Sequence, residues 1–246
     1  MKRLIIVVIG LMIVGTIIGV KLDSGPHPAA KAPDPRYGIP AISSQVVEDT
    51  KGFTVLISNE TMDGISRGSG ILLSSTTVMT CAHVLPEDKT IKGLRHMWIY
   101  PYPGDRVVHA AKVKFVNYPN DIALIELSSP VIVSKYPVFA RRVTIGEPIL
   151  GSGNILGYMM WFVSYGIITG EHQRWILTDA TIHGGNSGGP WVNARGEVVA
   201  MTDVGWRDRN GADTGISGGV PAGDLQEFLA EAAKKKPSIM YALTGE

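Results

Sequence analysis

Short apolar segments alternate with turn-forming residues along most of the chain from Gln45 onward. The segments are rich in Val, Ile, Thr and aromatic residues, and Gly, Pro, Asn and Asp separate them, as in β-strands joined by tight turns. About a dozen short strands predict an all-β sandwich or barrel fold, and the gap at residues 136–146 suggests two similar halves. The predicted strands are residues 53–58, 70–74, 77–81, 97–102, 107–116 and 122–127, then 148–151, 161–169, 175–179, 190–192, 198–204 and 215–220.

The N-terminal pattern is different, because residues 4–20 form an unbroken apolar run that follows Lys2 and Arg3. The run is near the lower length limit for a membrane span, and the flanking positive charges favour a cytoplasmic N-terminus. Residues 1–21 are therefore expected to be a transmembrane signal anchor or a cleaved signal peptide, with a buried core helix as a third alternative. The remainder would lie in the periplasm or outside the cell, and would be secreted if cleavage occurs. Residues 22–44 are rich in proline, which predicts an extended linker.

One helix is predicted near the C-terminus. Asp224 can cap it, and Leu225 and Phe228 begin an apolar stripe at helical spacing. Pro237 ends the helix, and we expect residues 237–246 to form a loose tail.

Composition narrows the functional classes. The net charge is +1 and no basic stripe stands out, so we expect no nucleic-acid partner. Cys81 is the single cysteine, which excludes an internal disulfide, and its apolar neighbours predict a buried structural thiol. No His/Cys spacing fits a zinc site, so we expect neither a metal nor a cofactor.

Candidate chemistry centres on the segment TIHGGNSGGP, residues 181–190, which concentrates glycines around Ser187. A serine hydroxyl becomes a nucleophile when a base adjoins it and a third group orients the base. The GNSGG stretch also fits the nucleophile elbow of α/β-hydrolases, but that fold needs a histidine after the serine. All six histidines precede Ser187, which excludes that alternative.

The remaining order is His, Asp, Ser, the order of chymotrypsin. TCAHVL places His83 just after an apolar strand, and NDIALIEL places Asp121 at the head of another. Asp121 is preferred as the acid. Competing acids lie in polar, turn-like segments or end a strand just before the serine loop; they are Asp88, Asp105 and Asp179.

Together these segments resemble the triad segments of trypsin-like serine proteases. GGNSGGP resembles the nucleophile loop, and the match is closest to the HtrA (Deg) type through TDATIHGGNSGGPWVN, GEPILGSGN and GISGGVPAGDLQEFL. The resemblance implies two six-stranded antiparallel β-barrels, with the active site between them, in a protease domain over residues 45–236. The first barrel would cover about 45–140, the second about 141–222, and a closing helix 223–236.

The resemblance also implies a role for each site residue. Ser187 would attack the peptide carbonyl, His83 would take its proton, and Asp121 would fix the imidazole tautomer. The segment Gly185, Asn186 and Ser187 would form the oxyanion hole, with the N–H groups of Gly185 and Ser187 as donors.

Polypeptide substrates follow from the same resemblance. Thr181 and Ile182 would form one wall of the substrate pocket, and Thr202 and Val204 the other. No acid stands where trypsin binds Arg or Lys, so we expect a small apolar pocket.

HtrA-type proteases often carry a C-terminal PDZ domain and assemble as trimers. We expect no PDZ domain in this chain, and a trimer is possible by resemblance alone. The alternative function is a catalytically silent protease-fold protein that binds a partner.

Overall fold

The computed structural model describes residues 41–61, 64–86, 94–104, 107–157, 159–234 and 241–242. The expected membrane segment, residues 1–21, and nearly all of the expected linker lie outside these ranges. Within them, no helix is both long enough and apolar enough to cross a membrane.

The first series of strands closes into a six-stranded antiparallel barrel. The strands pair in the order β1–β2–β3–β6–β5–β4, and β4 returns to β1 to close the ring. Closure pairs each strand on both sides, although β5 extends beyond its short pairing with β4. The strands are β1 (Thr54–Thr61), β2 (Gly64–Ser74), β3 (Thr77–Thr80), β4 (Leu94–Pro101), β5 (Val108–Asn117) and β6 (Ile122–Leu127).

The second series closes in the same way, in the order β8–β9–β10–β13–β12–β11 and back to β8. A two-residue strand, β7 (Val138–Phe139), adds to β12 in parallel. The predicted pair of six-stranded antiparallel barrels is therefore confirmed. The barrel strands are β8 (Pro148–Ile155), β9 (Met159–His172), β10 (Trp175–Thr178), β11 (Pro190–Asn193), β12 (Glu197–Arg207) and β13 (Asp213–Pro221).

Within the described ranges, two α-helices flank the barrels. The predicted C-terminal helix is confirmed as α2 (Ala222–Lys234), which buries Leu225 and Phe228. The other helix, α1 (Ser44–Phe53), was not predicted, because residues from 45 onward were expected to be all-β. The Ser43 side chain caps it by accepting a hydrogen bond from the Val46 N–H at 3.2 Å.

Of the expected tail, the described residues form β14 (Tyr241–Ala242), which pairs with Lys112 and Val113 of β5.

Apolar packing and polar contacts join the two barrels. One core cluster contains Ile57 and Ile125 of the first barrel together with Leu150 and Met201 of the second. Buried hydrogen bonds cross the same boundary, including Thr54 Oγ1 to Ser152 Oγ at 3.1 Å. Buried polar groups that are satisfied in this way fix one relative position of the packed parts. The segments that carry the predicted site residues are held at this boundary.

Candidate active site

The structure brings His83 and Asp121 into direct contact. His83 lies in a 3₁₀ turn, Ala82–Val84, that follows β3. Its backbone N–H donates to Asp121 Oδ1 at 2.8 Å, and its Nδ1 lies 2.5 Å from Asp121 Oδ2. The Ala82 N–H also donates to the Asp121 carbonyl oxygen at 3.1 Å. Both carboxylate oxygens are thus used to orient one imidazole.

This contact sets the charges of the pair. The hydrogen bond that His83 donates to Asp121 raises the pKa of His83, although burial acts in the opposite direction. Burial on its own would raise the pKa of Asp121, but hydrogen bonds from His83 and Asp203 lower it overall. The His83 side chain is 48% exposed, so the ring edge that carries Nε2 is open to a substrate. A general base needs an imidazole that a substrate can reach, and here an ionised carboxylate, that of Asp121, holds the ring in place.

Ser187 lies in a loop between β10 and β11 that is tied to the first barrel. The Ser69 N–H on β2 donates to the Ser187 carbonyl oxygen at 2.8 Å, and the Ser69 hydroxyl donates to the Gly185 carbonyl oxygen at 2.7 Å. The N–H of Gly188 and the thiol of Cys81 both donate to the Thr202 carbonyl oxygen. One carbonyl therefore joins the segment of His83 to the segment of Ser187.

The peptide between Gly184 and Gly185 has a defined orientation. The Leu156 N–H donates to the Gly184 carbonyl oxygen at 2.8 Å, which points that carbonyl towards β8. In a trans peptide the N–H points the opposite way, so the Gly185 N–H faces away from Leu156. In the described part of the chain, the N–H groups of Gly185 and Ser187 have no hydrogen-bond partner. Two such free donors in one tight loop can receive an oxyanion.

Asn186 does not fit the oxyanion role expected for its segment. Its N–H donates to the His183 carbonyl oxygen at 3.0 Å, within the turn, and is therefore engaged. Its side chain is buried, and a Cβ added at Gly153 would lie 2.7 Å from its Oδ1. Asn186 thus packs behind the loop, and its N–H is not available to an oxyanion.

A cavity of about 180 Å³ opens beside Ser187. Of the predicted pocket residues, Ile182, Thr202 and Val204 line it. Thr181, the fourth predicted pocket residue, is exposed and does not line it. Trp206 also lines the cavity and lies against Gly218, where an added Cβ would meet the indole at 2.6 Å. The lining therefore combines apolar side chains with charged ones, including Asp203, Arg207 and Asp213.

Asp203, which the sequence analysis did not single out, lies between these pocket residues and the His83–Asp121 pair. Its Oδ1 is 3.9 Å from His83 Nδ1, and its side chain is 5% exposed. Asp203 lines the cavity together with Ser187. A carboxyl group therefore connects the part of the site that holds the serine with the part that holds the histidine.

Possible metal-ligand atoms of Cys81, His83, Asp121 and Asp203 lie within 4.8 Å of one another. Each of these groups already has a hydrogen-bond partner. Nδ1 of His83 faces Asp121, Arg174 binds Oδ2 of Asp203, and the Cys81 thiol donates to Thr202. Burial also raises the pKa of the Cys81 thiol, which opposes the thiolate form that a metal needs. The donor set fits a hydrogen-bond network better than a metal centre.

Two closed six-stranded barrels, with a histidine–aspartate pair and a glycine-flanked serine at their boundary, define the class of chymotrypsin-like serine endopeptidases. A family profile described as "Trypsin-like peptidase domain" matches residues 68–201, more than half of the chain. The chain belongs to the trypsin-like peptidase family.

Named relatives agree with this family. The chain is 27% identical over 189 residues to "Serine protease HTRA3" of Homo sapiens, covering 70% of this chain and 39% of the relative. It is 29% identical over 185 residues to "Serine protease HTRA1B" of Danio rerio, covering 68% and 35%. The resemblance to the HtrA type is thereby confirmed. The chain spans somewhat more than a third of the length of these relatives.

Proposed function

We propose that this chain hydrolyses peptide bonds through a covalent acyl-enzyme on Ser187, with His83 as the general base and Asp121 as its orienter. The observation that carries the proposal is the paired contact of His83 with Asp121, at 2.8 and 2.5 Å, beside a loop that presents Ser187. A serine without such a base is a weak nucleophile at neutral pH.

The reaction would proceed in two halves. Ser187 Oγ attacks the peptide carbonyl carbon while its proton passes to Nε2 of His83, and the carbonyl oxygen becomes an oxyanion. The free N–H groups of Gly185 and Ser187 support stabilisation of that oxyanion. His83 then gives the proton to the leaving amine as the C–N bond breaks. A water molecule, deprotonated by His83, hydrolyses the acyl-enzyme and returns Ser187 to its free form.

The cavity supports a preference for small or medium apolar residues before the scissile bond. Ile182, Val204 and Trp206 supply its apolar surface. Asp203, Arg207 and Asp213 add charged groups to the same lining, so the apolar preference rests on the three apolar side chains and on the lack of an acid at the position where trypsin binds Arg or Lys. We propose exposed or unfolded polypeptide segments as substrates, because an extended peptide must enter the site.

Membrane attachment through residues 1–21, with the protease domain outside the cytoplasm, is part of the proposal on the sequence alone.

The direct test uses the full-length chain in mild detergent with a fluorogenic peptide library. The parent and a control variant, Ser134→Ala, which changes an exposed serine elsewhere, should cleave after small apolar residues. Ser187→Ala should not cleave. Cleavage dominated by Arg or Lys would contradict the proposed pocket. A folded parent that cleaves nothing would favour the alternative, a partner-binding protein with a protease fold.

A further inference from the structure

Asp203 occupies an irregular position in β12. The pairing of β12 with β13 shifts register between Thr202 and Val204, so one extra residue is present on the β12 side. In a regular strand, residue 203 would point away from the face shared by residues 202 and 204. A β-bulge re-aims side chains in this way, often beside active sites. Here residues 202, 203 and 204 all line one cavity, and the Asp203 carboxyl reaches the His83–Asp121 pair.

Arg174 holds this carboxyl in place. Its Nη2 donates to Asp203 Oδ2 at 2.8 Å, while its Nη1 donates to the Pro119 carbonyl oxygen at 3.0 Å. Pro119 belongs to the turn that ends in Asp121. The Trp175 indole N–H donates to the same Asp203 oxygen, and the Arg174 guanidinium lies over the Trp175 ring. Arg174 therefore links the β9–β10 turn of the second barrel to the Asp121 turn of the first.

Several ionisable groups face Asp203 from different elements. Asp121 and His83 come from the first barrel, Cys81 from the end of β3, and Arg174 from the β9–β10 turn. Further out, Asp224 of α2 interacts with Arg174, while Arg207 and Asp213 line the same cavity. Burial, followed by the hydrogen bond with Asp121, raises the pKa of Asp203 to about 6. Asp203 is therefore mostly ionised at neutral pH and becomes protonated on mild acidification.

The charges of Asp203 and Arg174 shift the pKa of His83 in opposite directions. The negative charge of Asp203 raises the pKa of His83, and the positive charge of Arg174 lowers it. Both charges are partly or largely shielded from water, with side-chain exposures of 5% and 32%. Their effects on the imidazole are therefore less screened than those of surface charges.

We propose that Asp203 is a positioning residue for the His83–Asp121 pair: together with Arg174 it fixes the Asp121 turn and sets the proton affinity of His83. This inference rests on the proposed role of His83 as the general base. Since the base must be neutral, an Asp203 that raises its proton affinity places the acidic limit of activity at a higher pH. Mild acidification then switches the site off.

The test measures the pKa of His83 directly and the pH profile of kcat/KM in the same full-length proteins. Labelling histidine with ¹³C gives its NMR titration, and His83→Gln identifies the signal. In Asp203→Asn, both the His83 pKa and the acidic limb should fall by about one pH unit. In Arg174→Gln both should rise. The double variant should lie near the parent, and Arg174→Lys, which keeps the charge, should restore the parent value.

Matched controls are Asp208→Asn and Arg209→Gln, which change the same residue types in the exposed β12–β13 hairpin. Neither should shift the titration. Shifts of the same sign in Asp203→Asn and Arg174→Gln, or no shift in either, would overturn the inference. If Asp203→Asn fails to fold, Arg174→Gln and Arg174→Lys decide the question alone. The His83 pKa could shift in opposite directions in Asp203→Asn and Arg174→Gln while neither the parent nor any variant cleaves peptides. That result would support the effect of Asp203 and Arg174 on His83 but would refute the proposed function.

Discussion

Asp121 adopts a backbone conformation that few residues with a Cβ accept. Its φ is 54°, in the turn between β5 and β6. Asp and Asn tolerate this left-handed region better than most other residues, because their short side chains can hydrogen-bond locally. The turn directs one carboxylate oxygen to the His83 N–H and the other to its Nδ1. Position 121 thus combines an unusual backbone with a defined role, and substitution there is expected to be specific in its effect.

Asp121→Asn should lower kcat by about 10⁴-fold while the protein remains folded. The amide keeps the size of the carboxyl group and suits the same backbone conformation. However, it presents an N–H to the imidazole and stabilises the wrong tautomer. Steady-state kinetics and a thermal melt check both parts, with Asp208→Asn as the matched change on the surface. A variant that keeps kcat within tenfold of the parent would exclude Asp121 as the orienter.

Gly185 is a second position with an unusual backbone conformation, and it has no room for a Cβ. Its φ is 96°, and an added Cβ would lie 2.4 Å from the Asn154 carbonyl oxygen and 2.6 Å from the Leu156 nitrogen. Gly185→Ala should therefore turn its N–H away from the oxyanion and reduce kcat by about 10²–10³-fold. Gly170→Ala, where the added Cβ meets nothing within 4 Å, should leave kcat unchanged. Equal kinetics for the two variants would contradict the oxyanion assignment.

The residues of the candidate triad could be predicted from the sequence, because each lies in a short motif next to a predicted strand. The position of Asp203 in the site could not be predicted in this way. Strand alternation places residue 203 on the opposite face from the expected pocket residues, Thr202 and Val204. The register shift that cancels this alternation lies in the pairing of β12 with β13, and the alternation of polar and apolar residues along β12 does not encode it.

Among the elements, β2 does most to position the nucleophile loop. Ser69, in the buried central part of β2, donates to the Gly185 carbonyl oxygen through its hydroxyl and to the Ser187 carbonyl oxygen through its N–H. The same hydroxyl accepts a hydrogen bond from the Asn154 N–H of β8 at 2.9 Å. One serine thus joins the first barrel, the second barrel and the loop between β10 and β11.

Ser69→Ala should lower the free energy of unfolding by about 2 kcal/mol, because it leaves a carbonyl and an N–H without partners in a buried place. It should also lower kcat, since the Gly185 peptide loses one of its anchors. Chemical denaturation and kinetics measure the two effects. Ser134→Ala, at an exposed position away from the site, provides the comparison. The positioning role of β2 fails if the two variants behave alike.

Element prediction failed where local signals were weak. Helix α1 is short and mixes charged with apolar residues, so its buried residues, Val46, Thr50 and Phe53, do not stand out in the sequence. These three residues lie on one face of a helix, but that face is recognised only once it packs against the barrels. Strand β14 is likewise determined by the exposed side of β5 rather than by its own two residues.

For the whole molecule, the sequence indicated two halves built from short strands, and the triad resemblance implied the closed barrels. Ring closure joins β4 to β1 and β11 to β8, which are distant along the chain. Periodicity carries no information about such pairings, so strand patterns alone left a sandwich possible. The site forms only when both barrels are in place, because His83 and Asp121 come from the first barrel and Ser187 from the second.

The most direct measurement is covalent labelling of the full-length chain with a fluorophosphonate probe, followed by intact mass and peptide mapping. An activated Ser187 should give one adduct per chain, at Ser187 alone, and Ser187→Ala should give none. Labelling should weaken as the pH falls through the pKa of His83, which Asp121 raises, because the protonated imidazole cannot accept the serine proton. An adduct at another residue, or no adduct on folded protein at pH values where His83 is neutral, would contradict the proposed nucleophile.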